Sequence, residues 1–259
     1  MIIKFETDNY LKLEPSKERR PLVLIAPGGA YLRTASREAE PVRDAVQKAG
    51  FHAGIIYYRE TLLPHPQAAA ELARFVAHVR KNADHFNIDP GRIALLGFSA
   101  GGHYVASLGV DWEEYGEEAR PNALLLAYPV ITGKKGLAHE GSLKNLFGKI
   151  TPETRKKFSL ERRAGKHTPP TFLFHTEEDL AVPCENSLLF FEALRKAGVP
   201  AEIHVYREGP HGLALANSVT PFEGEDPLAF EKKYARVAGW VELAVGWLKK
   251  TFDSSEESF

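Results

Sequence analysis

This sequence of 259 residues has one cysteine, nearly balanced positive and negative charges, and no long apolar segment. The single cysteine, Cys184, excludes an internal disulfide and leaves no Cys-x-x-Cys pair for a metal or redox site. A net charge of -1 provides no strongly basic surface of the kind that binds nucleic acid or an anionic membrane. No segment approaches the roughly 18 apolar residues that a membrane-spanning helix needs. We therefore expect neither nucleic acid nor a membrane as a partner.

Signals for targeting and for bound cofactors are also lacking. Charged residues at positions 4, 6, 8 and 12 interrupt the first apolar stretch, so no secretory signal peptide is predicted and a cytoplasmic location is expected. The sequence has no His-Glu-x-x-His pair, no phosphate-binding P-loop and no Gly-x-Gly-x-x-Gly fingerprint. We therefore expect no metal ion and no cofactor.

Apolar runs alternate with amphipathic segments along most of the chain. A continuous apolar run typical of a strand covered on both faces lies at 22–26. Further strands are predicted at 52–58, 122–129, 171–176 and 201–206, and the segment 89–98 predicts a turn followed by a buried strand. Predicted helices separate these strands, one at 37–49 and one at 66–84, where apolar residues recur most clearly at helical spacing. The alternation predicts an α/β fold with a mainly parallel central sheet and helices on both faces.

The two ends of the chain carry weaker signals. Two short alternating segments, 2–6 and 10–14, predict an antiparallel pair at one edge of the sheet. A last helix is predicted at about 228–250, followed by an acidic, serine-rich tail at 253–259 that we expect to be disordered. No linker or repeat divides the chain, so a single domain over 1–259 is predicted.

The segment "GFSAGG" surrounds Ser99 with small residues between a predicted strand and a predicted helix. Glycine weakens either element by roughly 0.5–1 kcal/mol relative to alanine, so a local requirement must favour it. A sharp strand-to-helix turn supplies that requirement, because the residues two before and two after the bend must be small to avoid clashes. Such a turn would point the Ser99 hydroxyl into a cleft, beside a helix N-terminus that favours negative charge. Alternatively, Ser99 only caps the helix and the glycines allow close packing.

A serine hydroxyl becomes a good nucleophile only when a base removes its proton and an acid orients that base. In a fold with this order of elements, the acid is expected in a loop after a later strand. Asp179 follows the strand at 171–176 and is the favoured candidate, with Glu177 and Glu178 as rivals beside it.

The base is expected last along the chain. His211 lies in a Gly/Pro loop beyond the strand at 201–206, where an imidazole could be held over the serine; the alternative is an ordinary surface histidine. His103 and His175 are close in sequence to the serine and the acid. We interpret both as packing or supporting residues.

Acyl transfer also needs N–H donors around the oxygen that becomes negative. One donor is expected from Ala100, directly after the serine. A second is expected from the segment "APGGAY" after the strand at 22–26, where Gly28 and Gly29 allow the backbone to turn its amides toward the cleft.

The motifs "PGGAY", "GFSAGG", "HTEEDLAVP" and "GPHGLAL", in this order and spacing, resemble those of the α/β-hydrolase superfamily. More narrowly, they resemble bacterial acetyl esterases and acetylxylan esterases related to the hormone-sensitive-lipase type. The resemblance covers about residues 20–250. It implies Ser99 as nucleophile, His211 as base and Asp179 as its partner. It also implies three amide donors, which are those of Gly29, Ala30 and Ala100.

This sequence departs from the family pattern in one motif. The usual His-Gly-Gly-Gly begins here with Pro27 and has Ala30 in place of its third glycine, although alanine can still supply an N–H. Tyr31, beside this segment, could stack on a sugar ring or simply pack in the wall. The bulky lid of lipase-type members is absent, and the insertion at 132–168 is expected to form short helices beside the active site.

The predicted function is that of a serine carboxylic-ester hydrolase, which removes short acyl groups, acetyl above all, from a small or sugar-based alcohol through an acyl-enzyme. An acetylated oligosaccharide such as a xylan fragment fits this prediction. A serine peptidase or amidase is the first alternative, since the same triad cleaves amides, but no propeller or large cap is present to select peptides. A non-catalytic binding protein built on a hydrolase scaffold is the second.

Overall fold

One continuous sheet of eight strands lies at the centre of the computed structural model, which describes residues 1–254. In chain order the strands are β1 (Ile2–Lys4), β2 (Tyr10–Leu13), β3 (Arg20–Ala26), β4 (His52–Tyr57), β5 (Ile88–Phe98), β6 (Ala123–Ala127), β7 (Thr171–Thr176) and β8 (Ala201–Tyr206). Their spatial order is β1-β2-β4-β3-β5-β6-β7-β8. Strand β2 is antiparallel to both of its neighbours, and every other pair is parallel. The predicted mainly parallel sheet with an antiparallel edge pair is confirmed.

Helices cover both faces of this sheet. They are α1 (Glu40–Lys48), α2 (Gln67–Lys81), α3 (Ala100–Asp111), α4 (Glu140–Phe147), α5 (Pro152–Phe158), α6 (Glu185–Lys196), α7 (Pro227–Ala238) and α8 (Trp240–Ser254). Helices α2, α3 and α6 contribute to a core on one face, and α1, α7 and α8 to a core on the other. Covering on both faces explains why runs such as "ALLLA" in β6 are apolar throughout. Within residues 1–254, no helix combines the length and apolar character needed to cross a membrane.

The C-terminal helix differs from the prediction. The segment predicted as one helix is divided at Gly239 into α7 and α8. Helix α8 then continues through Ser254, so Asp253 and Ser254 are helical although they were predicted to begin the disordered tail. Burial of Phe252 against the core, at 2% exposure, gives the extra turn an apolar anchor. The remainder of the predicted tail, 255–259, lies outside the described residues.

The insertion at 132–168 forms helices α4 and α5 and a short 3-10 helix, as predicted. It contacts the segment after β3 directly, because Asn145 Nδ2 of α4 donates a hydrogen bond to the Ala30 carbonyl at 2.8 Å. The insertion therefore supports residues 27–31, which we call the amide loop.

Candidate active site

Strand β5 passes into helix α3 through a tight turn centred on Ser99. The backbone of Ser99 is left-handed, with φ 51° and ψ -118°. A Cβ at Gly97 would lie 2.4 Å from the Gly101 carbonyl oxygen, and one at Gly101 would lie 2.1 Å from the Ala26 carbonyl oxygen. Both glycines are therefore required by close backbone approach, as the strand-to-helix turn predicts. The Ser99 side chain makes no capping hydrogen bond to α3, so the capping alternative is wrong.

The structure brings the three predicted triad residues together. His211 Nε2 lies 2.7 Å from Ser99 Oγ, and His211 Nδ1 lies 2.6 Å from Asp179 Oδ2. With an ionised Asp179, the neutral imidazole donates its Nδ1–H to the carboxylate and accepts the serine proton at Nε2. Ser99 and Asp179 are buried and His211 is partly exposed. This arrangement can activate the hydroxyl as a nucleophile.

Asp179 is held as a carboxylate by several donors. Its Oδ1 accepts hydrogen bonds from the amides of Ala181 at 3.0 Å and Val182 at 2.9 Å. Burial alone would raise the pKa of Asp179, but hydrogen bonds from His175, His211 and the backbone outweigh it and hold this pKa well below its ordinary value. Asp179 is therefore ionised at neutral pH and can hold the His211 imidazole in one orientation.

The rival carboxylates do not reach the imidazole. Glu178 accepts a hydrogen bond from the Gly209 amide at 3.1 Å instead, and Glu177 is exposed. Among the three neighbouring acids, only Asp179 lies against His211.

His175 and His103 occupy supporting positions, as the sequence predicts. The buried His175 donates from Nε2 to the Val182 carbonyl at 2.9 Å and also lies 3.3 Å from Asp179 Oδ2. His103 donates from Nε2 to the Phe158 carbonyl at 2.9 Å. Burial lowers the pKa of His103 to about 3, so this ring is neutral.

Of the two alternatives for Tyr31, sugar stacking and packing in the wall, the structure favours packing, because the side chain is buried and is not among the residues that line the cavity. It is 1% exposed, and its hydroxyl donates to His103 Nδ1 at 2.8 Å. Its ring contacts Tyr58 and Tyr104 edge-on, at centroid distances of 5.9 Å and 6.5 Å. A buried hydroxyl needs a partner, and His103 supplies one in the interior.

A Tyr31→Phe substitution tests this packing role. Loss of the hydroxyl leaves His103 Nδ1 without its donor, so we expect the free energy of unfolding to fall by about 1 kcal/mol. The ratio of kcat/KM between acetylated xylo-oligosaccharides and p-nitrophenyl acetate should stay unchanged, because the ring touches no bound sugar. Urea unfolding and paired kinetics measure the two effects. A selective loss of activity on the oligosaccharide would contradict the buried role.

The three predicted amide donors are available for a ligand. Within residues 1–254, the amides of Gly29, Ala30 and Ala100 donate to no protein acceptor. Ala30 adopts a left-handed backbone with φ 58°, which shows that alanine is accommodated in place of the usual third glycine. The Gly28 amide is occupied, since it donates to Glu38 Oε2 at 2.7 Å.

A cavity of about 730 Å³ opens over these groups. Its lining includes Gly29, Ala30, Ser99, His139, His211 and Phe222. The volume is within the range of sites for small organic ligands. Within the described part of the chain, no cluster of three or more His, Cys, Asp or Glu side chains is placed to hold a metal ion.

Sequence reasoning missed His139, which lies in the insertion and caps helix α4. Its Nδ1 accepts a hydrogen bond from the Ser142 amide at 3.1 Å, so a neutral ring carries its proton on Nε2. Burial first, and the nearby His211 second, lower the pKa of His139 and favour that neutral form. His139 thus offers a cavity-lining N–H donor. No signal in "AHEGS" distinguishes it from a surface histidine.

Arg37 and Glu38 were also missed, because the segment 37–49 was interpreted only as a helix. They lie in a 3-10 helix, Ser36–Glu38, beside the cavity. Arg37 donates to the Gly212 carbonyl at 2.9 Å and to the Thr220 carbonyl. Both carbonyls follow His211 in sequence, so Arg37 ties this segment to the residues around the imidazole.

Known proteins share this fold and part of this sequence. A model of a family described by the alpha/beta hydrolase fold matches residues 22–215. Endo-1,4-beta-xylanase B of Butyrivibrio fibrisolvens is 37% identical over 212 residues, 77% of this chain and 33% of that protein. An acetylxylan esterase of Xylanibacter ruminicola is 31% identical over 202 residues, 74% of this chain and 41% of that protein. The chain therefore spans less than half the length of either relative.

A solved structure extends the likeness to nearly the whole chain. The acetyl ester-xyloside bifunctional hydrolase from Caldicellulosiruptor lactoaceticus superposes with a TM-score of 0.80 at 35% identity, covering 93% of this chain and 88% of that one. The predicted resemblance to the superfamily is confirmed. The matched family model and the shared fold show that this chain belongs to the α/β-hydrolase family and is a relative of carboxylic ester hydrolases.

Proposed function

We propose that this protein is a serine hydrolase that removes short acyl groups, acetyl in particular, from esters of small or sugar-based alcohols. The observation that carries the proposal is the hydrogen-bonded chain Asp179–His211–Ser99, with contacts of 2.6 Å and 2.7 Å, at an open cavity. Beside it lie the amides of Gly29, Ala30 and Ala100, which donate to no acceptor within residues 1–254. A nucleophile, a base and oxyanion donors in one place are what acyl transfer requires.

The reaction proceeds in two steps. His211 Nε2 takes the Ser99 proton as Oγ attacks the ester carbonyl carbon, and the amides of Gly29, Ala30 and Ala100 donate hydrogen bonds to the oxyanion that forms. Collapse of the tetrahedral intermediate breaks the bond to the alcohol oxygen, which leaves with the proton from His211. Water then attacks the acyl-enzyme while His211 takes its proton, and Ser99 regains that proton as the acid departs. Asp179 holds the imidazole throughout.

The acetyl and sugar specificity rests on two lines of support. Two of the similar proteins are named an acetylxylan esterase and an acetyl ester-xyloside hydrolase. In addition, His139 and Phe222 place an N–H donor and an aromatic ring on the wall of the cavity, and a polyhydroxylated alcohol can use both. Phe222, and not the buried Tyr31, is the aromatic residue on this wall of the cavity.

A substrate panel tests the proposal. We expect p-nitrophenyl acetate to be turned over with a higher kcat/KM than the octanoate ester, acetate to be released from acetylated xylo-oligosaccharides, and aminoacyl anilides to react far more slowly. A fluorophosphonate probe should label the protein. Faster cleavage of anilides than of acetyl esters would favour an amidase, and a protein inert to both probe and esters would favour the binding-protein alternative.

A further inference from the structure

A buried carboxylate lies directly behind the amide loop. Glu38 is 4% exposed, and its Oε2 accepts the Gly28 amide hydrogen bond at 2.7 Å. The approach is close: a Cβ at Gly28 would lie 2.8 Å from Oε2 and 3.0 Å from Ser99 Cβ. Glu38 is therefore separated from the nucleophile by little more than the backbone of Gly28.

The second oxygen of Glu38 reaches the histidine side of the site through Tyr128. The Tyr128 hydroxyl donates to Glu38 Oε1 at 2.7 Å and accepts from the Ala214 amide at 2.9 Å. The ring of Tyr128 packs edge-on against the His211 imidazole, with centroids 5.1 Å apart. One carboxylate thus connects the amide loop to residues 207–216, which we call the histidine loop.

Arg37 makes a parallel connection. It holds the Gly212 carbonyl, and its guanidinium lies 4.3 Å from the Phe222 ring centroid. Two consecutive residues of one 3-10 helix therefore bind the histidine loop, one directly and one through Tyr128. Such fixed support restricts the distance between the oxyanion donors and the base.

The hydrogen-bond pattern is that of an ionised carboxylate. Both oxygens of Glu38 accept, and the Tyr128 proton is directed at Oε1 because the Ala214 amide occupies a lone pair of that hydroxyl. Burial raises the pKa of Glu38, while the Tyr128 hydroxyl, the Gly28 amide, His211 and Arg37 all act to lower it. Hydrogen bonds to both oxygens thus favour the ionised form of Glu38, which burial disfavours.

We propose that Glu38 is a positioning residue, which holds the amide loop and the histidine loop together and places a second negative charge near His211. The imidazolium that forms when Ser99 loses its proton is then stabilised by Glu38 as well as by Asp179. The inference rests on the proposed function, since it concerns the same reaction.

Other groups around the imidazole do not replace this charge. Asp179 contacts Nδ1 from the loop after β7, Tyr128 packs on the ring from the segment after β6, and His139 lies nearby in the insertion. Arg37, the cation next to Glu38 in the chain, acts to lower the pKa of Glu38. Removal of the Glu38 charge is therefore expected to leave the imidazolium less stable.

Glu38→Gln tests the proposal with little change of shape. The amide oxygen can accept from Gly28, and the Tyr128 hydroxyl can accept from the new NH₂ group. We expect the acid limb of the kcat/KM profile on p-nitrophenyl acetate to move to lower pH by about one unit, and the plateau to fall about tenfold. The Tyr128 proton then lacks its acceptor, so the Tm should fall somewhat in the variant. Because folding raises the pKa of Glu38, the parent protein should lose stability as Glu38 ionises with rising pH, and the variant should lack this dependence.

Two further variants separate the effect of the Glu38 charge from the effects of side-chain length and of a nearby surface charge. Glu38→Asp retains the charge but shortens the reach, so its activity should fall while its acid limb stays where it is in the parent protein. Glu225→Gln removes an exposed carboxylate whose charge acts on Arg37, and its acid limb should also stay in place. An unmoved acid limb in Glu38→Gln, whatever its Tm, would show a merely structural role and overturn the proposal.

A measurement without substrate separates this proposal from the proposed function. The proton shared by His211 Nδ1 and Asp179 Oδ2, followed by NMR, should resonate at a different position in Glu38→Gln than in the parent protein and at the same position in Glu225→Gln. If the parent hydrolyses no ester yet this resonance moves, the ester-hydrolase proposal fails and the positioning role of Glu38 holds. If the parent hydrolyses esters and the resonance is the same in Glu38→Gln and the parent, the role of Glu38 is wrong.

Discussion

Ser99→Ala is expected to lower kcat on p-nitrophenyl acetate by about a factor of 10⁶, as loss of the nucleophile does in well-studied serine hydrolases. The reason is that His211 then faces a methyl group, and no covalent step can begin. The fold should persist, because alanine meets the same backbone demands as serine at φ 51° and the Ser99 side chain caps nothing. Steady-state kinetics, with circular dichroism to verify folding, measure the effect.

Ser107→Ala provides the matched control. Ser107 lies on the same helix, α3, and donates only to the Tyr104 carbonyl at 2.7 Å. Its replacement should leave fluorophosphonate labelling intact, whereas Ser99→Ala should abolish it. A Ser99→Ala protein that still forms the covalent adduct would show that the nucleophile is elsewhere.

Asp179→Asn is expected to lower kcat by about a factor of 10⁴, the loss seen for the corresponding change in a serine protease. The Ala181 and Val182 amides select the asparagine oxygen at the position of Oδ1, which turns the new NH₂ group toward His211 Nδ1. The imidazole must then accept at Nδ1 and carry its proton on Nε2. In that tautomer it cannot remove the Ser99 proton.

Glu177→Gln is the control for this prediction. Glu177 is an adjacent, exposed carboxylate, so its loss should change kcat by less than about twofold. If Glu177→Gln and Asp179→Asn were equally impaired, general charge in this loop rather than imidazole orientation would be responsible. A pH profile of the residual Asp179→Asn activity should also differ from that of the parent protein, because the base is held in the wrong tautomer.

Local sequence signals predict the triad well, for a physical reason. Ser99 comes directly after a parallel strand, and Asp179 and His211 lie in the loops that follow two others; the carboxyl ends of parallel strands meet at one edge of the sheet. Strand identity follows from apolar runs, and the glycines of the serine turn follow from backbone sterics. Both are properties of neighbours in the chain.

Burial of individual polar side chains was much less predictable. For Tyr31 the sequence left open whether it faces a substrate or packs in the wall, and its partner in the interior, His103, is 72 positions away. Glu38 looked like an ordinary charge at the start of a helix, and its partner Tyr128 is 90 positions away. His139 lines the cavity, although its own sequence neighbours give no sign of this.

The sequence by itself determined the class of the fold, the order of its strands and helices along the chain, and the three side chains that meet at the edge of the sheet. These follow from periodicity and from steric limits on adjacent residues. Only the tertiary structure decided which carboxylates are buried, which amides stay free and which ring faces the cavity. Those outcomes depend on contacts between distant segments, and the hydrogen-bond partner that stabilises a buried polar group is absent from its sequence neighbourhood.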